Sequence, residues 1–166
     1  MNGTRSMTDR MLGAAQLHID VYEEVEADTT ATGQAAGVVA IVAICSAVGG
    51  IGGGAQAVLG GLVAALVGWL IWAGVTYLIG DKLLGGTATW GELLRTLGFA
   101  QAPGVLFLLG IIPLLGSLVV VIVGLWLLVT GVVAIRQALD FGTGRAIATA
   151  LLGFIPYIIL RAILQF

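Results

Sequence analysis

The side chains able to do chemistry are few, and the chain scatters them. His18 is the sole histidine and Cys45 the sole cysteine. A nucleophilic triad would have to unite His18 with Ser46 or Ser117 and a carboxylate. Both serines lie in or beside long apolar runs, whereas His18 lies in a charged N-terminal segment. One cysteine makes neither an internal disulfide nor a cysteine-only metal site. Gly50-Ile51-Gly52-Gly53-Gly54-Ala55 matches G-x-G-x-x-A. A dinucleotide site needs that pattern after a strand and opening a βαβ unit; here it separates two apolar runs and reads as a tight turn. No Lys-Ser or Lys-Thr follows a glycine cluster, so there is no P-loop. We assign no catalytic, cofactor-binding or metal-ligating residue, and the expectation is a non-enzyme with no cofactor. A net charge of −2 leaves no basic patch for a nucleic-acid partner.

The elements that hold these residues are set by hydropathy. Of the 166 residues 59% are hydrophobic and 10% charged, with a mean hydropathy of +1.10. A soluble domain carries about 25% charged residues. No Asp, Glu, Lys or Arg occurs in the 52 residues from Thr29 to Gly80 or the 40 from Thr96 to Ile135. At about 1.5 Å per residue these runs would span roughly 78 and 60 Å, against a bilayer core of about 30 Å. Each is long enough to cross a membrane twice.

The expected fold is therefore an all-α membrane protein with five transmembrane helices. The spans are placed at about 35–51, 57–80, 98–113, 117–135 and 146–165. Residues 1–34 form an N-terminal segment ahead of this transmembrane domain, 35–166. Met11, Ala15, His18, Tyr22 and Val25 recur at helical spacing and predict one amphipathic surface helix over 7–27, on the membrane surface or against the cytoplasmic mouths of the spans. Its acidic end (Asp20, Glu23, Glu24, Glu26, Asp28) opposes attraction to anionic lipid. Thr89-Trp90-Gly91-Glu92 fits a capping box and predicts a short interfacial helix before span three. In that helix Leu93, Leu94 and Leu97 would face lipid and Arg95 would sit at the headgroups. Pro156 should kink span five.

Orientation follows from Lys and Arg. With the N-terminus in the cytoplasm, Arg5, Arg10, Lys82, Arg95, Arg136 and Arg145 lie inside and only Arg161 outside. The C-terminus then lies outside. The lipid bilayer is the first partner. Small residues supply a contact face for another: Gly53, Ala57, Gly61 and Ala65 form one row on span two, and Gly60, Ala64 and Gly68 the next. Span one of the same chain, a second copy or another membrane protein would pack there.

The segment Gly86 to Pro103 resembles the signature of the Yip family, five-span membrane proteins named for interacting with Ypt/Rab GTPases. Thr89, Trp90, Glu92, Leu93, Leu94, Arg95, Gly98, Phe99 and Pro103 occupy its positions. Trp126 in span four and the polar linker from Arg136 to Arg145 are also similar. The resemblance implies structural roles for these residues and a non-enzymatic function in organising or recruiting membrane proteins. The eukaryotic branch carries an Asp-Leu-Tyr-Gly-Pro element that is missing here, so the resemblance is to the prokaryotic branch, in the plasma membrane. A small oligomeric transporter or channel, with Gly153 and Pro156 opening the backbone toward a cavity, is the alternative. An accessory subunit of a larger complex is another.

Overall fold

A computed structural model describes residues 5–50, 54–112 and 114–153, and every regular element among them is helical. Four runs are long and apolar enough to cross a bilayer: Thr29–Gly49, Val58–Leu83, Trp90–Ile111 and Gly116–Ala138. A further helix, Thr143–Gly153, enters the expected fifth span. Pro113, Pro156, Arg161 and the remainder of that span lie outside the described residues, as does Gly53.

The N-terminal segment is two helices, not one. α1 (Met7–Ala15) starts at a capping box in which the Ser6 hydroxyl accepts from the Asp9 N–H. α2 (Ile19–Ala27) begins after a turn in which Leu17 takes a left-handed φ of 63°. The chain folds back because Gly13 lets the helices touch: a Cβ there would lie 3.3 Å from Val21 Cβ. The fold-back also matches charge. Asp20, Glu24 and Asp28 stand four apart on one side of α2 and meet Arg5 and Arg10 of the opposing strand of the hairpin. The apolar stripe expected along 7–27 therefore divides: Val21, Tyr22 and Val25 are buried, Met11 and Ala15 are half-buried, and His18 is exposed in the turn.

This hairpin is docked on the apolar helices. It packs against the third and fourth spans, and the carbonyl of Ala15 accepts from Trp126 Nε1 at 2.8 Å. Trp126 is near the middle of α6 (Gly116–Ala138), so α1 reaches the depth of the apolar spans.

α3 (Thr32–Gly50) follows a short 3-10 turn capped by Asp28, whose Oδ1 accepts from the Thr30 N–H at 3.0 Å. α4 (Gly54–Tyr77) winds on into a π-helical stretch, Leu78–Leu83. The third span has two parts. α5 (Trp90–Phe99) is α-helical, and Ala102–Ile111 is a 3-10 helix. Pro103 at the junction has no N–H to continue an α-helical ladder. α7 (Thr143–Gly153) closes the described chain.

α5 was expected at the lipid interface, with its leucines in lipid. Instead Leu93, Leu94, Leu97 and Phe99 are buried, and α5 is the centre of the bundle, touching α1, α2, α3, α4 and α6. It enters the bundle because its one cation is fully engaged inside the fold.

A 3-10 run of ten residues is unusual, since the ladder is poorer and side chains eclipse. Here one face of it is laid against α3. Gly98 faces Ala35, Gly104 faces Val42 and Gly110 faces Gly49. The α3 partners are seven apart, nearly two α-helical turns. The third-span glycines are six apart, and beyond Pro103 six residues make two 3-10 turns. The two rows stay in register, and a Cβ on Gly110 would lie 2.7 Å from the Gly49 carbonyl oxygen.

Candidate functional site

Two regions gather the residues singled out by sequence: a polar web around α5, and the outer face of α4.

The web starts at the α5 N-terminus. The Thr89 hydroxyl accepts from the Glu92 N–H at 3.3 Å, and Glu92 Oε2 accepts from the Thr89 N–H at 2.7 Å. One turn on, Arg95 is 5% exposed. Its Nε donates to the carbonyls of Val25 at 2.8 Å and Glu26 at 3.1 Å, and its Nη2 also donates to Glu26 O. These carbonyls close α2, where no further N–H is available. A cation there also meets the negative end of the helix dipole, worth about 1–2 kcal/mol when partly buried. Arg95 is thus a C-terminal cap for α2 rather than a headgroup ligand.

The same device recurs twice. The C-terminal carbonyls of α1 accept from Tyr22 Oη at 2.9 Å and from Trp126 Nε1. Ala100 O, at the end of α5, accepts from Thr130 Oγ1 at 2.7 Å. At membrane depth an unpaired carbonyl costs several kcal/mol, so these donors let α1 and α5 end there. Trp69 Nε1 donates to Leu94 O at 3.0 Å and ties α4 to α5.

Arg10 is the second buried cation, at 1% side-chain exposure. It donates to Glu24 at 3.0 Å, Asp28 at 2.7 Å and Gln34 Oε1 at 3.0 Å. Burial opposes its charge, but the bonds to Asp28 and Glu24 hold its pKa above the usual value. Burial likewise pushes Glu24 up, yet Arg10 and Arg5 bring it below the ordinary carboxylate range. Asp28 is lowered by Thr30 and Arg10. Glu26 behaves oppositely. Desolvation pushes its carboxyl up to about 7, with Glu92, Asp140 and Glu23 adding repulsion and Arg95 opposing it.

The linkers adjoin this web. Thr87 Oγ1 donates to Asp140 at 2.8 Å. Arg136 Nε donates to Gln137 Oε1 at 3.3 Å, and the Arg145 guanidinium lies 4.2 Å from the centre of the Phe141 ring. Trp90 is exposed, and Pro103 is buried at the kink.

The outer face of α4 is different. Among the described residues, a Cβ at Gly60, Gly61 or Gly68 would meet nothing within 4 Å. Ala64 is exposed and Ala65 half-buried, and Ala57 lies in the first turn of α4. Span one does not cover these glycines; α3 spends its own glycine, Gly49, on the third span. Among the described residues no three His, Cys, Asp or Glu side chains gather to hold a metal ion.

Sequence reasoning missed Arg10 and the α3 seam. The acids at spacing four on α2 and the period of six in Gly98, Gly104 and Gly110 were the available signals.

A buried, broken third span held by side-chain caps, with apolar helices around it, defines an all-helical integral membrane protein. The Yip1 domain model matches residues 21–163, and the chain belongs to that family. No curated relative and no solved structure matches it.

Proposed function

We propose that this protein is a non-enzymatic member of its family that organises or recruits other membrane proteins, using the outer face of α4. The observation that carries this reading is the space that the described residues leave open over Gly60, Gly61 and Gly68. Closely spaced small residues on a lipid-facing helix let a second helix backbone approach. Most of the family signature is consumed internally, by the capping box, Arg95 and Gly98, while Trp90 stays exposed.

The chain has five spans, with the N-terminus in the cytoplasm, the C-terminus outside, and the prokaryotic plasma membrane as its location. Six cations against one support that orientation. The Thr87–Asp140 hydrogen bond supports both linkers sharing one side.

The test is purification from native membranes in mild detergent. Gly61→Leu and Gly68→Leu should release a partner or second copy that the unaltered chain retains. Complexes of unchanged size and composition would refute the reading. Single cysteines at Thr87 and Asp140 should label from the same side.

A further inference from the structure

Between α1, the 3-10 half of the third span and α6 lies a cavity of about 340 Å³. Met11, Leu12, Pro103, Leu106 and Trp126 are among the residues that line it. Its polar side chains are Thr8 and Gln16. The one donor of Trp126 is already given to Ala15 O, so the indole offers the cavity only carbon.

Leu12 and Leu106 line the cavity and are also exposed, at 57% and 39%. They mark its mouth. Leu108 and Leu109 on the 3-10 segment, and Leu125 and Leu128 on α6, are exposed too. Pro103 and Trp126 both stand near the middle of their spans. The mouth is thus bordered by leucines, at a level where both spans are apolar.

Three occupants can be weighed. Water needs two to four polar partners, and apolar cavities stay dry. A void of this size forfeits the dispersion contacts of its whole lining. Hydrocarbon fills it without loss, because a lipid tail is as apolar as these leucines. The volume falls at the lower end of small-molecule pockets, which suits one chain rather than a folded partner.

We propose that this cavity is a binding cleft for one acyl chain of a membrane phospholipid, roofed by α1. The chain enters between Leu12 and Leu106 and packs along the Trp126 ring. The hairpin closes over it because Arg10 and Arg5 hold α1 to α2.

The full-length protein is reconstituted in vesicles of phosphatidylethanolamine and phosphatidylglycerol carrying a phosphatidylglycerol with a diazirine in one acyl chain. After irradiation, mass spectrometry should find adducts concentrated on residues 11–16 and 102–106. Val105→Trp fills the cleft and should lower adducts on those peptides about tenfold, the low end of what misfit in an apolar pocket costs. Leu118→Trp, on an exposed face, should leave them unchanged. Circular dichroism and elution volume check that both variants are folded; the map of the unaltered protein stands without either. Adducts spread evenly over Leu118, Leu125 and Leu128 as well would overturn the proposal. So would labelling by the free diazirine fatty acid with none by the phospholipid.

Discussion

Glycines on two of the helical faces of this molecule do opposite things. Along the third span, Gly98, Gly104 and Gly110 are pressed against Ala35, Val42 and Gly49 of α3, with backbone on backbone at the far end. Along α4, Gly60, Gly61 and Gly68 meet no described residue. The first face is used to build the fold, and the second is the one we propose for a partner. Residue type is the same; the neighbour decides. Only the first set has a partner helix whose repeat keeps pace with its own.

The sharpest way to break this contrast is Gly49→Leu. Its side chain would fall on the Phe107 carbonyl group, which cannot move as a flexible side chain can. The cost should exceed the roughly 1–3 kcal/mol of ordinary overpacking, and little monodisperse protein should elute from a sizing column. Elution and melting equal to the unaltered chain would mean the seam is not closed.

A second large effect should come from the polar web. Arg10→Met leaves Asp28 without its cation and Glu24 with Arg5 alone. Removing one partner of a fully buried pair costs about 3–5 kcal/mol. These carboxylates keep 25% and 22% of their side-chain surface exposed. The expected loss is thus nearer 2 kcal/mol, read as a lower midpoint in a detergent melt. Thr89→Val removes the hydroxyl that caps α5 and should cost about 1 kcal/mol.

Titration offers a gentler perturbation. The Glu26 carboxyl is held at about 7 against an ordinary value of 4.5. Between those values the folded chain binds the extra proton, so stability should fall as pH rises through this window. Glu26→Gln should flatten that slope and leave the protein more stable at pH 8. An unchanged slope in melts from pH 5 to 8 would assign the dependence elsewhere. The smallest effect on folding belongs to Gly61→Leu. With nothing among the described residues for the side chain to strike, the melting midpoint should hold or rise, since Gly costs a helix about 1 kcal/mol relative to Ala.

What is local was legible. The capping box at Thr89 and Glu92 depends on residues three apart, and the structure contains both of its bonds. The apolar runs follow from side-chain transfer energies summed over a window. The charged helix 7–27 misled because a break at Leu17 has no Gly or Pro to announce it, and because the pairing of Arg10 with Glu24 and Asp28 spans a turn. The leucines of α5 misled for a related reason. Periodicity shows that Leu93, Leu94 and Leu97 are apolar, but lipid and protein interior are equally apolar, so it could not say which one they meet.

Sequence alone determined the medium and the family: charge-free runs of this length are stable only in hydrocarbon, and the signature from Thr89 to Pro103 needs no coordinates to be recognised. Tertiary structure alone decided which polar groups find each other. Arg95 reaches α2 from 69 and 70 residues away, Trp126 reaches α1 from 111, and a 3-10 run finds its matching face on α3. Hydropathy is a property of each side chain, whereas these pairings exist only once distant backbones have been brought within hydrogen-bonding range.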